Sequence, residues 1–148
     1  VFEGKAKVGP NVVILGNLGV GIATALLLQT KGGHKITMVG KGKKMGRDVN
    51  PSYIWRYKLK LKKGGVMVYN ETDVLSYDAA GVHVKGPDGA EIVLPADTVI
   101  QSNVTSDNRL EETLKAKCGG QVITIGDALK PRRASNAVAD GWKAGMDV

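Results

Sequence analysis

NVVILGNLGVGIATALLLQT, residues 11–30, decides the fold of this chain. Val12, Val13, Ile14 and Leu15 make a continuous β-branched and apolar run, the pattern of a strand buried on both faces in a parallel sheet. Gly16, Gly19 and Gly21 then punctuate a turn, and Val20, Ala23 and Leu27 follow at helical spacing. A strand, a glycine turn and a helix leave backbone N–H groups unpaired at a helix N-terminus, where the dipole favours an anion. A nucleotide pyrophosphate is the first ligand this chemistry suggests, against the plainer reading of tight strand-to-helix packing.

Downstream, Lys31, Gly32 and Gly33 stop the helix, and residues 34–39 read as a second strand. A site that accepts NAD usually places Asp or Glu at the end of this strand to hydrogen-bond the ribose 2′-OH. Here the position is Gly40, followed by Lys41, Gly42, Lys43 and Lys44. Without the acid there is neither that bond nor repulsion of a 2′-phosphate, so the pattern leans to NADPH over NADH. Asn50 and Pro51 supply an N-cap and a first-turn proline for a helix over residues 51–63, with Ile54, Tyr57 and Leu61 on one stripe. Residues 55–62 also alternate with period two and, taken alone, would read as a strand.

From Val66 the period changes to two. Residues 66–69 read as a third core strand, and residues 73–77, 82–85 and 91–94 as an antiparallel meander. A core strand at 97–100, a helix at 110–117 and a buried strand at 121–125 follow. The expected fold class is α/β, a Rossmann-like doubly wound parallel sheet with the β-meander as the crossover between its third and fourth strands. A fifth strand at 121–125 would complete the order 3-2-1-4-5.

Composition narrows the function classes. At 148 residues the chain suits one domain with a full core, and no stretch approaches the roughly 18 apolar residues of a membrane span. Its one cysteine, Cys118, excludes an internal disulfide and a thiolate metal cage. The opening at Val1, with no methionine or signal sequence, suggests a piece of a longer, cytoplasmic protein. Residues 31–63 carry eleven Lys or Arg against one acid, Asp48. Such a run is ordinarily a solvated face; Tyr53, Trp55 and Tyr57 supply the only aromatic interleaving a nucleic-acid surface would want, which disfavours that partner. His34 at a strand entrance and His83 between Val82 and Val84 both read as solvent-facing.

Ile125, Gly126, Asp127 and Ala128, then Lys130, Pro131, Arg132 and Arg133, then a helix bearing Ala134, Ala137, Val138 and Gly141, add local words to this order of elements. Together with Gly46-Arg47-Asp48-Val49-Asn50-Pro51 and Ala96-Asp97-Thr98-Val99-Ile100, they resemble the C-terminal portion of the Old Yellow Enzyme-like NADH:flavin oxidoreductases. That group includes 2,4-dienoyl-CoA reductase, 2-enoate reductase and trimethylamine dehydrogenase. The resemblance spans essentially the whole chain. It implies a linker at 1–10, an NAD(P)-type domain at 11–104 with the meander at 73–94, and at 105–148 the strand and helix that finish a flavin-type half. It also implies an oxidoreductase parent with FAD, FMN and an iron–sulfur cluster outside these residues. The remainder of that flavoenzyme would be the partner, and no membrane would be involved.

The residues expected to bind cofactor are Gly16, Asn17, Leu18, Gly19, Gly21, Gly40, Lys41, Lys43, Lys44 and Val104, with Gly126 and Asp127 on the flavin side; none is catalytic and none binds metal. The family pattern is broken at three places. Leu18 stands where the second glycine would let backbone approach the pyrophosphate, Ala23 replaces a frequent Glu, and Val104 replaces a glycine after the 97–100 strand. These departures suggest weakened dinucleotide binding. Three readings follow: an NADPH- or NADH-binding domain, a degenerate domain that holds ADP alone or is structural, and a basic nucleic-acid module.

Overall fold

The computed structural model describes residue 3 and residues 5–147. It falls into two compact units, one ending at Asn103 and the other beginning at Val104.

In the first unit, β1 (Asn11–Leu15), α1 (Gly19–Lys31), β2 (Lys35–Val39), α2 (Pro51–Lys63) and β3 (Met67–Tyr69) make two successive βαβ steps. The meander β4 (Asp73–Asp78), β5 (Gly81–Lys85) and β6 (Glu91–Leu94) then leads to β7 (Thr98–Gln101). The parallel sheet has the order β3-β2-β1-β7, and the meander is a separate antiparallel sheet of order β4-β5-β6. Val12 lies opposite Ile36 of β2 and opposite Thr98 of β7, so β1 is paired on both edges.

Alternation along β1 distributes its side chains to two cores. Val12 and Ile14 join Ile22, Ala25 and Leu28 of α1, Met45, and Leu61 of α2. Val13 and Leu15 join Val82 and Val84 of β5 and Leu94 of β6. Helices therefore cover one face of the parallel sheet and the meander covers the other. This is a Rossmann-like α/β fold.

Several expectations change in detail. α1 buries Ile22, Ala25 and Leu28, while Val20 and Ala23 of the expected stripe are exposed. The helix is apolar nearly all round, so spacing alone could not choose its inner face. The cap at Asn50 resolves the ambiguity of residues 55–62 in favour of a helix: Ser52 N–H donates to Asn50 Oδ1 at 2.9 Å, and Ile54, Tyr57 and Leu61 meet the core. The expected linker falls partly outside the described residues, and its end is docked. Gly9 N–H donates to Thr98 Oγ1, and Lys35 N–H to the Pro10 carbonyl.

The second unit contains α3 (Leu110–Lys117), α4 (Gly126–Leu129) and α5 (Ala134–Met146). The expected fifth strand at 121–125 does not form, and the parallel sheet has four strands rather than five. A strand exists only as a member of a ladder, and no ladder pairs this segment among the described residues.

Candidate functional site: the crevice at the glycine turn

In open α/β sheets ligands bind outside the carboxyl ends of the strands, where the strand order reverses. Here that point is the junction of β1 with β2 on one side and β7 on the other. The glycine turn leaves β1 at this junction.

Two of the turn's glycines are required by geometry. Gly16 has φ +129°, outside the region open to other residues, and its N–H donates to the Val39 carbonyl at 2.7 Å. Gly21 faces the Gly16 carbonyl so closely that a Cβ could not fit. This holds α1 against the strand. Ser102 closes the other side, its N–H and Oγ each donating to the Leu15 carbonyl at 2.9 Å. A Cβ on Gly16 would also lie 2.6 Å from Asn103 Oδ1. Leu18 is the N-cap residue of α1 and makes no side-chain cap, as its apolar side chain dictates.

The cap comes from elsewhere. Gly19 N–H, at the first position of α1, donates to Asp48 Oδ1 at 2.9 Å and Oδ2 at 3.0 Å. The loop that carries Asp48 is fastened on both sides. Met45 is buried in the helix-side core, Gly46 N–H donates to the Asn17 carbonyl at 2.8 Å, and Asn50 caps α2.

Gly40, at the end of β2, has a neighbour rather than a vacancy. Asn17 is 3% exposed, its Nδ2 donates to Asn70 Oδ1 at 2.9 Å, and its side chain occupies the space a Cβ on Gly40 would need. Lys41 does not stand ready for a phosphate alone, because its Nζ pairs with Asp73 Oδ1 at 2.9 Å. Lys43 and Lys44 are exposed on the same loop.

Gly16, Asn17, Leu18, Gly19, Gly21 and Gly40 are thus gathered at one end of the sheet with the Lys41 loop beside them. Val104, Gly126 and Asp127 lie in the second unit. Val104 is exposed there. Gly126 has φ +61° and its N–H donates to Asp140 Oδ2 at 3.2 Å; the Arg132 guanidinium also pairs with Asp140, while Arg132 N–H approaches Asp127 Oδ1 at 3.4 Å. An apolar hollow of about 760 Å³ in this unit is lined by Leu110, Leu114, Val122, Ile123 and Ile125. Hydrogen bonds from Lys115 and then Thr124 hold the Glu111 carboxyl below its usual range at the same hollow. Among the described residues no group of three or more His, Cys, Asp or Glu is placed to hold a metal ion.

Asp48, Asn70, Asp73, Ser102 and Asn103 shape the crevice without having been expected there. Asp48 carried a usable signal: it is the one acid among eleven basic residues between Lys31 and Lys63. The other four contribute through contacts some 30 to 90 residues away in sequence, which no local pattern records.

No family model matches the chain. A metal reductase of Desulforamulus reducens is 34% identical over 171 aligned positions, covering 96% of this chain and 25% of that protein. A 2-naphthoyl-CoA reductase, solved with 2-naphthoyl-CoA, superposes with a TM-score of 0.75 at 27% identity, covering 99% of this chain and 22% of that one. A 6-hydroxypseudooxynicotine amine oxidase from Pseudomonas geniculata N1 superposes with a TM-score of 0.76 at 25% identity, over 97% of this chain and 23% of that one. The chain is similar to part of each of these redox enzymes. It spans about a quarter of the length of that metal reductase.

Proposed function

We propose that this chain is the nucleotide-binding portion of a flavin-dependent oxidoreductase. Its first unit docks a pyridine nucleotide, NADPH ahead of NADH, at the glycine turn; its second unit contributes Gly126 and Asp127 to the flavin side. The observation that carries the reading is the Gly16 to Gly21 turn, built with a left-handed first glycine and a closely packed third glycine at the strand-order reversal. Similarity to two reductases and an amine oxidase over nearly the whole chain supports an oxidoreductase parent.

The fit of a dinucleotide to these residues is partial. The turn and the sheet end suit it, and Lys43 and Lys44, exposed on the loop after β2, are basic groups that would favour a 2′-phosphate. Leu18 stands at the motif position where a glycine would open the approach to the turn, and Asp48 holds the first N–H of α1. When bound, the nicotinamide would supply a hydride to the flavin of the parent protein; the residues of this chain bind and orient. The apolar hollow and the exposed stripe Val138, Trp142 and Met146 on α5 are surfaces that the rest of a flavin-type domain would cover.

Calorimetric titration of the full-length protein with NADPH, NADH and ADP tests the proposal. Saturable NADPH binding, tighter than NADH, is the expected result; binding of none of the three refutes it. Leu18 and Asp48 favour a second reading, a relic domain that keeps ADP alone, for which ADP would bind and both dinucleotides would not.

A further inference from the structure

We infer that Asp48 is a built-in competitor for the pyrophosphate, so that a dinucleotide enters the crevice only when this carboxylate leaves the N-terminus of α1. The inference rests on the dinucleotide reading above and adds to it the residue that limits affinity. Both Asp48 oxygens reach Gly19 N–H, at 2.9 and 3.0 Å, which places a full negative charge on the positive end of a 13-residue helix. The first turn of α1 contains no acidic residue of its own, so its anion is supplied from outside the helix.

The position is built rather than incidental. Met45 sits in the core, Gly46 N–H is bonded to the Asn17 carbonyl, and Asn50 caps the next helix, so the backbone on either side of Asp48 is held. Gly19 completes the fit, since a Cβ there would lie 3.0 Å from Asp48 Oδ2. The glycine between the second and third positions of the motif therefore makes room for a carboxylate. A pyrophosphate needs the same N–H groups and carries like charge, and two anions do not share one helix terminus. With the loop backbone fastened on both sides, release of the site requires the Asp48 side chain to rotate away from Gly19.

Full-length wild-type protein and Asp48→Asn are titrated by calorimetry with NADPH, NADH, ADP and adenosine. Asn keeps the size and an acceptor oxygen for Gly19 N–H and removes the charge; thermal unfolding checks that the variant remains folded, and Asp48→Ala, which removes the charge and the contact together, provides a second neutral replacement. The expected result is that both variants bind the three pyrophosphate ligands about two- to fivefold more tightly, the scale of one exposed anion at a helix terminus, while adenosine is unchanged. Equal affinity for the pyrophosphate ligands in wild type and variants overturns the competitor role and leaves the dinucleotide reading standing. Tightening of adenosine as much as ADP overturns it too, because the effect would then be one of shape. No binding of any ligand to any of the proteins overturns both readings.

Discussion

Gly40→Ala should destabilise the protein markedly, and the reason is Asn17 rather than the backbone. Gly40 is not among the glycines with positive φ, so alanine can adopt its conformation. Its Cβ would nevertheless enter the space of the Asn17 side chain. Forcing one methyl into a closed site costs about 1–3 kcal/mol. Moving Asn17, which is 3% exposed, also threatens its 2.9 Å bond to Asn70, and a buried polar group left unpaired costs about 1–3 kcal/mol more. The lower entropy of the unfolded alanine chain offsets about 0.4–1 kcal/mol. The net expectation is a loss of about 2–4 kcal/mol, read as a lower denaturation midpoint in urea. Asn17→Ala should itself cost about 1 kcal/mol, since Asn70 is only partly buried and water can replace the lost partner. In that background Gly40→Ala should be nearly neutral, because the obstacle is gone. A Gly40→Ala penalty under about 0.5 kcal/mol, or one that persists unchanged without the Asn17 side chain, would refute the argument. If the cycle shows the coupling, the missing acid at the end of β2 has a packing cause, and the case for NADPH rests on Lys43 and Lys44.

The same crevice yields two further expectations in the full-length protein. Leu18→Gly should tighten NADPH and NADH binding by about 1–2 kcal/mol, comparable to relieving one overpacked contact; unchanged affinity in the titration would show that Leu18 points away from the ligand. Lys43→Ala with Lys44→Ala should remove most of a roughly tenfold preference for NADPH while leaving NADH affinity nearly unchanged, whereas Lys41→Ala, whose Nζ already pairs with Asp73, should alter the preference little. The preference should also shrink as salt rises, over a screening length of about 8 Å at physiological ionic strength. Loss of both nucleotides together in the double variant would make the lysines a solvated face.

The parallel sheet could be read from the sequence because its signals are local. The apolar runs at Val12, Ile36 and Val68, the Asn50 cap, and the change of period after Val66 each act over a few residues, and the structure places a strand or helix at or beside every one, although β3 is only partly buried. The glycine turn was legible for the same reason. What surrounds it was not, since the Asp48 carboxylate reaches Gly19 from 29 residues away, Asn70 reaches Asn17 from 53, and Ser102 reaches Leu15 from 87. Gly40 shows how this misleads. A glycine at the end of β2 carries the same local signal whether it spares a 2′-phosphate from repulsion or makes room for Asn17, and only the tertiary contact separates the two.

The segment at 121–125 carries the opposite lesson, a strand pattern with no strand. Val122, Ile123 and Ile125 have the β-branched composition of a core strand, yet Ile123 and Ile125 remain about 40% exposed and no ladder pairs them among the described residues. Among the described residues, every buried hydrophobic core residue belongs to the first unit. The second unit instead exposes Leu110 and Leu114 on α3 and Val138, Trp142 and Met146 on α5. Fully burying a side chain of this kind is worth about 1.5–3 kcal/mol, so the four that are largely in water, all but Leu114, forgo a sum comparable to the whole stability of a small domain. The last three recur at intervals of four along α5 and define one face, the arrangement expected of a helix that packs against a sheet. On the proposed reading that sheet belongs to the flavin side of the parent protein. It would offer residues 121–125 the neighbouring strand that their composition calls for and cover the apolar face of α5 in the same step.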